Sequence, residues 1–107
     1  MSDTLMQVLA LLERNDVRIS DHGYDELAAD DIYVNDILNG AQKAVVVEEY
    51  PTYQKGPCVL ALQKDRNGNP VHVVWGIPRG ASRPAVLVTA YRPESKAWTE
   101  DFLRRRL

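Results

Sequence analysis

Apolar positions near the start of the chain fall at helical spacing: Leu5, Val8, Leu9, Leu11 and Leu12 mark one face of a helix. Ser2 or Asp3 is placed to cap it, and Asn15-Asp16 to end it. Val17-Arg18-Ile19 reads as a short extended link. Ser20 is a good N-cap for a second helix, with Ile19 and Tyr24 positioned as a hydrophobic staple. Tyr24, Leu27 and Ala28 then share one face. Beyond Asp30-Asp31, Val34, Ile37 and Leu38 predict a third, short helix stopped by Gly40 as its C′ residue.

At Ala44 the pattern changes to strands. Ala44–Tyr50, Cys58–Lys64, Val71–Ile77 and Ala85–Tyr91 are β-branched or apolar runs bounded by turn residues. Asn67-Gly68 is the strongest hairpin signal in the chain. As a two-residue turn it sets Leu62 opposite Val73 and Leu60 opposite Trp75 on the core face. Gln63 then opposes His72, and Ala61 opposes Val74, on a second face of mixed polarity. A three-residue loop would move the pairing by one. Ser95–Leu107 returns to helical spacing, with Trp98, Phe102 and Leu103 on its apolar side. Three helices, a meander and a final helix predict an α+β fold, with a four-stranded antiparallel sheet and a C-terminal helix.

Composition bounds this picture. A chain of 107 residues, 45% hydrophobic and 26% charged, is expected to form a single domain over residues 1–107. No apolar run approaches the roughly 20 residues of a membrane span. MSDTLMQ lacks the basic stretch of a secretory leader. The single cysteine, Cys58, excludes an internal disulfide and a multi-cysteine zinc site, so a reducing cytoplasm is the expected compartment. The net charge of −2 hides an asymmetry: residues 1–57 hold eleven acids and four bases, residues 58–107 four acids and nine bases. Either the basic half meets phosphate, or the halves neutralise one another within the fold or across a dimer.

Candidate chemistry rests on few residues. His22 falls in the first turn of the second helix, where anions are favoured and an imidazole can act as general base. His72 falls in a strand beside Gln63. The two histidines show no metal-ligand spacing, and no metal or cofactor is expected. Tyr91 and Arg92 close the last strand and can contact phosphate or stack on a base. Arg104-Arg105-Arg106 reads as a solvated helix end.

Several pieces in order resemble an uncharacterised bacterial family, domain of unknown function 4258. They are Ile19-Ser20-Asp21-His22, Val34–Gly40, Val46-Val47-Glu48-Glu49-Tyr50-Pro51, Pro70-Val71-His72-Val73-Val74, and Val88-Thr89-Ala90-Tyr91-Arg92-Pro93 followed by Trp98. The resemblance covers roughly residues 17–99. It implies a RelE/BrnT-like toxin fold, a wider group that includes ribonucleases held inactive by an antitoxin. Carried over by position, it implies His22, His72, Thr89 and Tyr91 as the candidates; with the residue reading above, His22, His72 and Tyr91 are expected to be catalytic and Thr89, Arg92 and Gln63 to bind substrate. Where relatives carry an arginine four residues after the helix histidine, this chain has Glu26. Two functions are thus expected: an RNA-cleaving domain using histidine acid–base chemistry, or a non-catalytic module that engages an antitoxin-like protein partner or dimerises.

Overall fold

The computed structural model describes residues 2–107. Helix α1 spans Asp3–Glu13; the Ser2 hydroxyl caps it by accepting from the Leu5 amide, and Leu5, Val8 and Leu11 are buried. Strand β1 (Val17–Ile19) leads into α2 (Asp21–Ala29), whose N-cap Ser20 accepts from the Gly23 amide. Ser20 also donates to the Val88 carbonyl at 2.7 Å, tying the helix start to a strand far along the chain. Helix α3 (Val34–Gly40) passes into a short 3-10 turn, Ala41–Lys43. Strands β2 (Val45–Tyr50), β3 (Cys58–Lys64), β4 (Pro70–Gly76) and β5 (Ala85–Tyr91) follow.

The sheet has five strands in the order β1-β5-β4-β3-β2. β2 to β5 form the expected antiparallel meander. β1 adds a fifth strand, parallel to β5, with Val17 opposite Ala85 and Ile19 opposite Leu87. The sheet is therefore mixed, which corrects the four-stranded antiparallel expectation. Three residues are too few for a readable alternation, and a parallel partner some 68 positions away leaves no local turn signal.

The helices cover one face. Leu5, Val8, Leu11, Leu27 and Ile37 pack with Val59, Val71, Val73, Trp75 and Leu87 in one core. On α2 only Gly23 and Leu27 are buried, and Tyr24 is exposed rather than stapled to Ile19. Gly40 is not a left-handed stop: its φ is −86°. A side chain there would come within 2.9 Å of the Lys64 carbonyl, so the glycine permits close approach of α3 to β3.

The β3–β4 register differs by one residue from that of a two-residue turn. Leu62 pairs with His72, Ala61 with Val73 and Gln63 with Val71. Asp65 and Asn69 close a three-residue loop, Arg66–Gly68, with Gly68 at φ +80°. The Asp65 carboxylate accepts from the amides of Asn67 and Asn69 and holds this loop. Its period being two, the slip sends Ala61 and Gln63 to the helix side and Leu60 and Leu62 to the open face.

The C-terminal segment is not a helix. It folds back on itself through a bridge between Trp98 and Arg105. Asp101 accepts from the Thr99 hydroxyl and the Leu103 amide, and the Phe102 backbone is left-handed at φ +60°. Such local side-chain bonds compete with helical ones. The result is an irregular strap that lays Trp98 and Phe102 across the second face of the sheet.

Candidate anion-receptive cavity on the second sheet face

Register parity puts Cys58, Leu60 and Leu62 of β3, His72, Val74 and Gly76 of β4, and Thr89 and Tyr91 of β5 on the face opposite the helices. Glu48 and Tyr50 of β2 join them opposite Leu60 and Cys58. The two ends of this face differ.

One end opens into a cavity of about 450 Å³. Its buried lining is apolar: Gly56, Cys58, Gly76, Ile77 and Val86. Its exposed lining is Arg18, His22, Tyr53 and Lys55. Among the described residues no aspartate or glutamate lines it, although the chain is acidic overall. Parallel pairing of β1 with β5 brings Arg18 here, and the Ser20 cap brings His22. Gly56 brings Tyr53 and Lys55. Its φ is +125°, and a Cβ there would lie 2.0 Å from the Ile77 carbonyl. Only glycine allows the segment before β3 to run against residues 77–79, where the Ile77 amide donates to Pro57 and the Arg79 amide to Lys55. His22 Nε2 lies 3.6 Å from Glu26 Oε1, one turn on. The Glu26 that departs from the resemblance thus faces the imidazole. Burial pushes the Cys58 thiol up, so it stays protonated in the cavity wall.

The other end is closed by the strap. His72 is fully buried. Its Nε2–H donates to the Phe102 carbonyl at 2.8 Å, which leaves Nδ1 to accept from the Tyr91 hydroxyl at 3.4 Å. The Trp98 ring meets the imidazole edge to face at 4.4 Å. Burial holds the His72 pKa below its ordinary value; the bond to Phe102 opposes this, and the nearby Arg105 charge adds to it. Arg105 lies over the Trp98 ring at 4.7 Å and pairs with Glu48 at 3.0 Å. Burial first, then the Glu48 charge, raises the pKa of the Tyr50 phenol. Burial likewise raises that of Tyr91.

The sequence-derived candidates are therefore spread out. His22 borders the cavity. His72 and Tyr91 meet beneath the strap, and Thr89 lies on the second face opposite Val74, between the two ends. His22 and His72 do not share a site. Arg92 is a tie at the far edge: its amide donates to Asp30 at 2.9 Å and its guanidinium lies 3.0 Å from Asp65. Gln63 is enclosed on the helix side, accepting from the Trp75 indole and donating to the Ile37 carbonyl, both at 2.8 Å. Arg18, Tyr53 and Lys55 were not singled out from sequence. The polar centre of Val17-Arg18-Ile19 was their one local signal, and its meaning depends on the β1–β5 pairing.

A mixed α+β domain with a basic, apolar-floored cavity on its open sheet face is the class these features define. The chain belongs to the family described as Domain of unknown function (DUF4258), whose model matches residues 19–92. No curated protein and no solved structure matches it. The family region holds most of the cavity lining, including His22, Tyr53 and Lys55; Arg18 lies one residue before it, and the strap lies beyond it. Among the described residues no helix is long and apolar enough to cross a membrane.

Proposed function

We propose that the protein binds single-stranded RNA at this cavity, as a RelE/BrnT-like domain. The observation that carries the reading is the lining itself: Arg18, His22 and Lys55 line one cavity whose lining holds no aspartate or glutamate, Glu26 standing beside His22 outside it, in a chain of net charge −2. A local cationic concavity attracts phosphate even where the whole surface does not. Fluorescence anisotropy with a labelled single-stranded RNA tests it. Arg18→Ala and Lys55→Ala, both at exposed positions, are expected to weaken binding about tenfold each, in line with charge-assisted bonds to phosphate. Binding that neither variant changes would refute the site.

A second reading, cleavage, is favoured by the His22–Glu26 contact, a candidate base beside an orienting carboxylate. His22 takes the proton of a ribose 2′-hydroxyl, and the 2′-oxygen attacks the adjacent phosphorus. The bond from phosphorus to the 5′-oxygen breaks, and that oxygen takes a proton from water. The products are a 2′,3′-cyclic phosphate and a 5′-hydroxyl. His22→Ala should then lower cleavage by about 10²-fold or more with RNA still bound. Cleavage unchanged by His22→Ala would refute this reading and leave a binding module.

A further inference from the structure

We infer that the cavity is a subsite for one unstacked nucleotide, which takes the base by its face and the adjoining phosphate at its rim. The inference rests on the RNA-binding reading and deepens it. Phosphate recognition alone needs only the cationic rim. A shallow basic patch would provide that, whereas these residues line a cavity of about 450 Å³ with a buried apolar wall.

The floor is built to accept something flat and apolar. Gly76 lets its neighbours close over the sheet: a Cβ there would stand 3.3 Å from the Cys58 side chain and the Pro57 carbonyl oxygen and 3.4 Å from the Val88 side chain, so Cys58 and Val88 form a continuous apolar surface across it. Cys58 contributes a protonated thiol, a weak hydrogen-bonding group. The Ser20 hydroxyl at the floor is committed at both ends, accepting from the Gly23 amide and donating to the Val88 carbonyl, which leaves the Tyr53 phenol at the mouth as the other hydroxyl of the lining. The floor thus offers dispersion and little edge recognition. Tyr53, 51% exposed at the mouth, adds an aromatic face. Arg18, His22 and Lys55 are the exposed basic residues of the same lining. A nucleotide combines an apolar ring face with an adjoining anion, and stacking on such surfaces tolerates any base because every base has a π-face.

The resulting specificity is distinctive: a base is required, but its identity is not. It also excludes duplex, whose bases are not free to enter.

Titration of the full chain with the four nucleoside 3′-monophosphates, ribose 5-phosphate and inorganic phosphate, followed by amide NMR shifts of Gly56 and Gly76, tests this. The four nucleotides should bind within about threefold of one another, and ribose 5-phosphate about tenfold or more weakly, the share expected of one stacked base. Tyr53→Ala, at an exposed position that folding tolerates, should remove most of that difference and leave inorganic phosphate binding unchanged. Ribose 5-phosphate binding as well as the nucleotides would overturn the base subsite while leaving phosphate recognition intact. RNA binding without any mononucleotide shift at Gly56 or Gly76 would overturn it too. Loss of all RNA binding by the unmodified chain would instead remove the underlying reading.

Discussion

His72 is held neutral by its surroundings, and that has a calculable consequence. Its folded pKa lies below the ordinary value of about 6.5, because burial disfavours the cation. As pH falls through about 6.5, the unfolded chain takes up a proton that the folded chain refuses. Stability is therefore full above that pH and declines below it, by at most about 1.4 kcal/mol per pH unit. His72→Gln should flatten this slope in urea titrations between pH 7 and 5. The aspartates act lower down. The Arg83 hydrogen bond holds Asp16 below the usual carboxylate range. Burial opposes the same shift at Asp65, but the Asn69 and Asn67 amides and Arg92 outweigh it. Their contribution is present above about pH 4 and lost as pH falls further, so the two windows separate. Gln63 gives a second prediction at this scale. Gln63→Ala strands the Trp75 indole N–H and the Ile37 carbonyl in the core. It should cost about 3 kcal/mol, since each unpaired buried group costs about 1–3 kcal/mol.

Elements with their own local signal were legible in the sequence. Ser2 and Ser20 cap the helices they were expected to cap, and the four strands of the meander lie within a residue of their expected bounds. What could not be read depends on distant partners. β1 becomes a strand through β5, and the final segment gives up its helix for bonds around Asp101 and the cover it lends His72. The turn carried the largest consequence: one extra loop residue exchanged the faces of β3, so Gln63 left the candidate site and Leu60 and Leu62 entered the open face. Of the candidate site, His22 was legible from its capping sequence. Its neighbours Arg18 and Lys55 were not, because topology alone brings them together. Gly56 sets the element-scale prediction. Gly56→Ala forces a non-glycine residue to φ +125° against the Ile77 carbonyl. It should cost about 1–3 kcal/mol of backbone strain. It should also weaken RNA binding beyond Lys55→Ala, since Tyr53 and Lys55 move together.

Across the whole molecule the charge asymmetry resolves partly inward. Arg66 pairs with Asp36, Arg83 with Asp16 and Arg105 with Glu48, each joining the basic half to the acidic half. The bases left at the cavity rim are few, which limits how many counterions RNA can displace. The logarithm of RNA affinity should fall with the logarithm of salt at a slope of about 0.7 to 1.4, as for one phosphate, or one each for Arg18 and Lys55, on a single strand at about 0.7 each. Anisotropy titrations over a range of potassium chloride measure it, and a slope several times larger would place the RNA elsewhere.

The pairing of β1 with β5 also sets an order in time. Arg18 and His22 leave the ribosome more than 60 residues before Val86 and Val88, which share the cavity with them. The nascent chain carries its surplus of acids exposed until the later arginines emerge. β1 has no strand to join until the last strand is synthesised. Such long-range closure is slow compared with hairpin formation. The cavity thus waits for β5, and a chain that stops short of β5 has none. Any activity seated there is silent until β5 has been made and has paired with β1.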